Sequence, residues 1–446
     1  MNRTPRPEPQ RMKSVLTPET PRIREGHDMA TAEQTFVIVG AGLAGAKAAE
    51  ALRTGGFDGR IVLIGDETDR PYDRPPLSKA YLQGTTAREK IYIHPAGWYT
   101  DHDIELRVGT PVTALDRTEH EVVIDGVERL GYDKLLLTTG SSPRRLQVPG
   151  ADLDGVHYLR RVTDCETMKA AFAAADRVAI VGAGWIGLET AAAARAAGCA
   201  VTVVGRSKLP LLAVLGAEVA ETYAALHRDH GVELRLNSGV REIVGKDNRA
   251  TGIRLTDGTV VEADAIVVGV GIVPNTALAE TAGLAVDNGI VVDEHLATTD
   301  PDVFAAGDVA NTFYPLLGTH LRLEHWSAAL NQGPVAAENM IGRVTAYDQV
   351  PYFFSDQYDS GMEYSGYVPH GSYDSVVFRG DVAAGEFIAF WMRDGRVLAG
   401  MNVNTWGVTD AIEALVRSGE RVDPAKLADP DELLRYLADR VPGGAR

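Results

Sequence analysis

The chain has 446 residues, 45% hydrophobic and 24% charged, with 44 Lys and Arg against 61 Asp and Glu and a formal net charge of −17. That length predicts two or three domains with real cores, the ordinary composition predicts a globular protein, and the acidity argues against wholesale attraction to nucleic acid or anionic membranes. No apolar run approaches the roughly 20 residues of a spanning helix, and the two cysteines, Cys165 and Cys199, imply neither a disulfide framework nor a metal site, which fits a reducing cytoplasm.

In chain order, the first 28 residues are rich in Pro, Arg, Thr and Glu and lack the apolar core of a secretory signal, so 1–33 reads as a disordered tail, with Met29 a possible start. The apolar run FVIV at 36–39 leads into GAGLAG at 40–45 and an alanine-rich helix. The pattern is that of a strand turning into a helix whose unpaired N–H groups face a pyrophosphate. Gly40 makes the turn, Gly42 leaves room for the phosphates and Gly45 lets the helix pack on the strand. The next strand, at 61–65, ends in Asp66 and Glu67, either able to accept from ribose hydroxyls; Asp66 is the choice. Short strands follow, including 121–126 and 134–140, with room for a whole domain before the motif recurs.

It recurs as VAIV at 178–181 and GAGWIG at 182–187, with Gly182, Gly184 and Gly187 in the same three roles and Ile186 inside the loop. Two matches in strand, loop and helix context predict two bound dinucleotides. After this second loop the strand at 201–204 runs into Gly205, Arg206, Ser207 and Lys208, without a carboxylate. Arg206 offers a planar fork to a 2′-phosphate, which favours NADPH, with NADH the alternative. Antiparallel segments at 252–264 precede a strand at 265–271 that ends in Gly271, and another buried strand, at 298–308, ends in Gly307 and Asp308. Beyond about 340, EFIAFWM, a turn at 393–395, RVLAGMNVN and the helix TDAIEALVRSG read as a hairpin and helix of a third, α+β unit.

The series GAGLAG, PPLSK, TTGSSPR, GAGWIGLE, GIVPN, FAAGD and EHWSAALNQG resembles the FAD-dependent ferredoxin reductases of bacterial Rieske oxygenase and cytochrome P450 systems over about 35–440. The resemblance implies an α/β fold with two Rossmann-like dinucleotide-binding domains, as in glutathione reductase, and a C-terminal α+β domain. FAD would occupy 34–150 and 269–340, NAD(P)H 151–268, and the C-terminal domain 341–446. It implies that Ala44 and the first loop hold the FAD pyrophosphate, that Asp66 meets its ribose, that Arg70 neutralises phosphate charge, and that Val112 and Arg160 make further contacts. Asp308 would meet the ribityl chain, Lys79 and Glu189 would lie near flavin N5, and Trp326 would lie beside the isoalloxazine where ferredoxin docks in relatives. The basic residue that some relatives carry on the ferredoxin-facing helix is replaced here by the stretch 331–334.

Disulfide reductases of this fold relay electrons through a cysteine pair beside the flavin, and neither that pair nor the single cysteine of related peroxidases is present. Without a thiol relay electrons would leave the flavin directly, and the resemblance implies transfer from NAD(P)H through FAD to a ferredoxin, by a monomer or homodimer without nucleic-acid or membrane partners. An NAD(P)H oxidase or a rubredoxin or quinone reductase is the enzymatic alternative. A redox-signalling flavoprotein similar to apoptosis-inducing factor is the alternative of another class.

Overall fold

The computed structural model describes residues 34–432 and 434, so the expected tail at 1–33 and the end of the third unit lie outside the described residues. Around the first loop a five-stranded parallel sheet runs in the order Val303–Ala305, Lys134–Leu137, Thr35–Val39, Arg60–Ile64, Ile104–Arg107. These strands are near-continuous apolar runs because helices or loops cover both faces, leaving Val37, Ile38, Val62 and Leu136 fully buried. The helix Leu43–Thr54 packs against the later helix Trp326–Met340, and a Cβ at Gly333 would meet the Ala44 carbonyl oxygen at 2.3 Å. A glycine there sets the close approach of the two helices.

The second loop has a sheet of its own, in the order Val232–Arg235, Ala200–Val204, Arg177–Val181, Ala265–Val268, Val156–His157, all parallel. Each sheet carries an antiparallel three-stranded appendage: Val112–Asp116 to Gly131 on the first, Val240–Lys246 to Glu262 on the second. The chain passes between the two units twice, and those passages pair as the antiparallel strands Ser141–Pro143 and Ile272–Pro274. Two expected strands are shorter than anticipated. Lys134–Leu137 stops so that Thr138 can turn and donate from Oγ1 to the Gly40 carbonyl at 2.7 Å, and Val303–Ala305 gives way to a turn at Gly307–Val309.

The third unit is a five-stranded antiparallel sheet in the order Tyr352–Gln357, Ser360–Gly366, Arg396–Val403, Glu386–Arg393, Ser375–Asp381, with the expected hairpin inside it and the helix Thr409–Ser418 against it. Its other face shares a core with the second unit, where Leu188, Leu215, Val219 and Tyr223 meet Met362, Trp391 and Met401. The helix Leu212–Asp229 is broken at Gly216, whose φ is 74°. Among the described residues no helix is long and apolar enough to cross a membrane.

Candidate functional site

Both glycine loops open into one cleft of about 1350 Å³ lying between the three units. At Gly40 and Gly182, φ is +118° and +115°, and a side chain would collide with the Thr138 or Gly269 carbonyl at 2.1 Å. Gly45 and Gly187 lie behind the wall, where a Cβ would meet the Gly40 or Gly182 carbonyl at 2.2 and 2.0 Å. Gly42 and Gly184 differ: a Cβ there would have nothing within 4 Å and would intrude on the open space. The two helices start at Leu43 and Trp185 with no side-chain cap and no acidic residue in the first turn. Their first N–H groups and positive dipole ends thus suit an anion at each loop. This cradle fits the pyrophosphates of FAD and of a nicotinamide dinucleotide.

Ala44, Asp66, Lys79, Val112, Arg160, Gly184, Ile186, Gly271, Gly307, Asp308 and Trp326 all line the cleft. At the end of Arg60–Ile64 the two acids separate. Glu67 is held by the Tyr72 hydroxyl and by Arg74 Nη2 at 2.6 Å, whereas Asp66, 60% exposed, pairs with Arg161 at the lip. Arg70 is not among the lining residues, against expectation. Its guanidinium sits 3.5 Å over the Tyr92 ring and its Nε donates to the His94 carbonyl at 3.1 Å, while Arg74, four residues on, reaches the cleft. Arg160 Nη2 donates to Asp308 Oδ2 at 3.0 Å, and the turn that presents Asp308 is made by Gly307, at φ +78°, where a Cβ would lie 3.1 Å from the Ala44 side chain. Burial, and Arg74 beside it, pull the Arg160 guanidinium below its ordinary pKa. Gln332 is buried and accepts from Gly307 N at 2.8 Å, so the stretch at 331–334 anchors this turn.

At the centre, Lys79 Nζ lies 2.7 Å from Glu189 Oε2, with their side chains 14% and 4% exposed. Ser78 donates to the same oxygen, and Ser355 Oγ donates to Glu189 Oε1 at 2.7 Å. Trp326 donates from Nε1 to Asp73 Oδ1 at 2.9 Å and meets Phe354 edge to face. Arg206 is exposed and outside the lining, but Gly205 before it rests on Ala183 of the second loop, where a Cβ would lie 3.0 Å from that side chain. Sequence reasoning missed Ser355, Phe353, Phe354 and His325, all lining the cleft or touching its buried pair. His325 was visible inside EHW; burial pulls its pKa down to about 4, so it is neutral at pH 7, and it stacks on Phe353.

Cys165 and Cys199 are buried, unpaired and away from the cleft. Burial pushes the Cys165 thiol up to about 12, and Cys199 Sγ is used up on the Phe172 and Ala175 carbonyls, both at 3.3 Å.

Residues 34–333 match the family model described as pyridine nucleotide-disulphide oxidoreductase, and 352–438 match one described as reductase C-terminal. Rhodocoxin reductase of Rhodococcus erythropolis is 41% identical over 408 residues, covering 91% of this chain and 95% of that protein. The ferredoxin–NAD(+) reductase component of the anthranilate 1,2-dioxygenase system of Burkholderia cepacia is 42% identical over 400 residues, covering 89% and 97%. Among solved structures, the covalent putidaredoxin reductase–putidaredoxin complex matches with a TM-score of 0.89 and 35% identity, covering 93% of this chain and 100% of the matched one. The cradle, the buried pair and these likenesses together place the chain among the oxidoreductases of the pyridine nucleotide-disulphide oxidoreductase family.

Proposed function

We propose that the chain is an FAD-dependent NAD(P)H:ferredoxin reductase, using NADPH in preference to NADH and serving a cytochrome P450 or Rieske oxygenase. The observation that carries this is a single cleft holding both phosphate loops, with the Lys79–Glu189 pair inside it and no thiol on its wall. FAD, when bound, supplies the exchange between a two-electron donor and one-electron acceptors. The chain supplies position and charge. Gly40, Gly42 and Ala44 with the helix behind them hold the pyrophosphate, Asp66 accepts from ribose hydroxyls, and Asp308, steadied by Arg160, accepts from the ribityl chain.

Lys79 places a cation where negative charge develops, and Glu189 holds that cation in position. Phe353, Phe354 and Trp326 keep water from the inner wall. Gly182, Gly184, Ile186, Gly187 and Gly271 shape the coenzyme side, and Arg206 at the edge of the second loop takes the 2′-phosphate. We assign 34–150 and 269–340 to FAD, 151–268 to the coenzyme and the residues from 341 onward to the interface, and place the protein in a reducing cytoplasm, which suits its two buried free thiols.

The test is NADPH oxidation by the FAD-loaded protein with cytochrome c, with and without a panel of small ferredoxins. Strong stimulation by a ferredoxin is expected. Equal rates without one, accompanied by oxygen uptake, would make the chain an oxidase.

A further inference from the structure

Behind the cleft a buried file of polar side chains leads away from Glu189. Ser355 Oγ is 2.7 Å from Glu189 Oε1, and Gln357 Nε2 is 3.1 Å from Ser355 Oγ. Gln357 Oε1 is 2.8 Å from His227 Nε2, and His227 Nδ1 is 3.3 Å from the Tyr358 hydroxyl. Ser355, Gln357 and His227 are buried; Tyr358, half-buried at the outer end, is stacked by His230 at 3.7 Å. The members come from the helix Leu212–Asp229 and from the strand Tyr352–Gln357 with the residue after it.

The proton positions follow from one end of the file. Glu189 as a carboxylate only accepts, and its other oxygen is taken by Lys79 and Ser78. Ser355 has a single proton, so it donates to Glu189 and must accept from Gln357. The amide of Gln357 therefore turns its NH2 to Ser355 and its oxygen to His227. That oxygen only accepts, which puts the imidazole proton on Nε2 and leaves Nδ1 to accept from Tyr358. Every bond runs in the same sense, toward the carboxylate. Burial pulls His227 down to about 4, so its Nδ1 stays free of a proton at neutral pH.

We propose that Ser355, Gln357, His227 and Tyr358 are positioning residues, a one-way hydrogen-bond relay that fixes Glu189, and through it Lys79, in one orientation and charge arrangement. Its bearing on catalysis rests on the reading of the cleft given above; the relay itself does not. A glutamine at position 189 must turn its carbonyl oxygen to Lys79, a pure donor, and its NH2 to Ser355. Ser355 then donates to Gln357, the amide of Gln357 turns over, and His227 is driven to carry its proton on Nδ1.

The tautomer of His227 is read from imidazole nitrogen shifts in the FAD-loaded protein with isotope-labelled histidine, the signal being assigned with His227→Gln. The Nε2–H form is expected in the native protein and the Nδ1–H form in Glu189→Gln. With Ser355→Ala added to cut the relay, the charge at position 189 should no longer affect the tautomer. The Nδ1–H form in the native protein overturns the proposal without any variant. So does an unchanged tautomer in a Glu189→Gln protein that keeps its FAD and melting temperature, or a change that persists in the Ser355→Ala background. No electron acceptor enters the measurement, so failure of the relay and failure of the ferredoxin reading are separate results.

Discussion

Gly205 packs on Ala183 of the second phosphate loop, Arg206 follows it, and the stretch 205–208 carries no carboxylate, which under the proposed reading makes Arg206 the partner of a 2′-phosphate. A charge-assisted contact of that kind is worth about 1.5–3 kcal/mol, so Arg206→Glu should lower kcat/KM for NADPH relative to NADH by roughly 10–100-fold. An unchanged ratio in steady-state kinetics removes the argument. Lys79→Met leaves Glu189 buried without its cation, although Ser78 and Ser355 still donate to it. Breaking a buried pair this way costs about 3–5 kcal/mol, readable as a lower denaturant midpoint. His227 and His325 are both pulled by burial to about 4, below the unfolded value near 6.5. The unfolded chain therefore binds protons that the folded chain refuses. Their stabilisation is complete above pH 6.5 and is lost as pH falls toward 4, at about 1.4 kcal/mol per pH unit for each inside that window. The urea midpoint should therefore fall from pH 7 to pH 5, and His227→Gln should make the fall shallower.

The two strand–loop–helix units were legible in the sequence because Gly40, Gly45, Gly182 and Gly187 answer backbone demands that no other residue meets, while Gly42 and Gly184 keep the space in front of each loop open. Gly42 and Gly45 separate the two demands by experiment. Gly42→Ala adds a methyl in open space, so the fold should hold while FAD affinity drops at least tenfold, about 1.4 kcal/mol. Gly45→Ala drives a methyl into the Gly40 carbonyl and should lower both the melting temperature and FAD content. Equal behaviour of the two variants in flavin absorbance and thermal melts would contradict the division of roles. What the sequence concealed depends on contacts between distant elements. Arg70 and Arg74 stand four apart in a turn-rich segment, and which one reaches the cleft is decided by the Tyr92 ring and His94 carbonyl that hold Arg70 and by the Glu67 carboxylate and Arg160 carbonyl that hold Arg74. In YFFSDQ the alternation puts Ser355 and Gln357 on one face, and polar residues at such spacing read as a solvent face. They are buried because Glu189 and His227 need them there. The buried Gln332 was hidden likewise, its partner Gly307 lying 25 residues away in sequence.

The third unit looks in sequence like an appended module, yet its sheet completes the core of the second. Trp391, fully buried, donates from Nε1 to the Leu215 carbonyl at 3.0 Å, the last turn before the helix breaks at Gly216. Leu188, Val219 and Tyr223 have their apolar cover from Met362, Met401 and Val403. A chain ending at 340 would expose that patch and strip Glu189 of the Ser355 donor. Burial of apolar surface at about 25 cal/mol per Å² makes such a patch a site of association rather than a tolerated face. We therefore expect the fragment 34–340 to aggregate or to lose its flavin, despite containing both phosphate loops. In the 446-residue chain, tryptophan fluorescence and flavin absorbance should change together on thermal unfolding, because the third unit caps the second and also supplies Phe353 and Phe354 to the cleft. A soluble, yellow, monodisperse fragment would show that the first two units stand alone and that the third serves the acceptor side only.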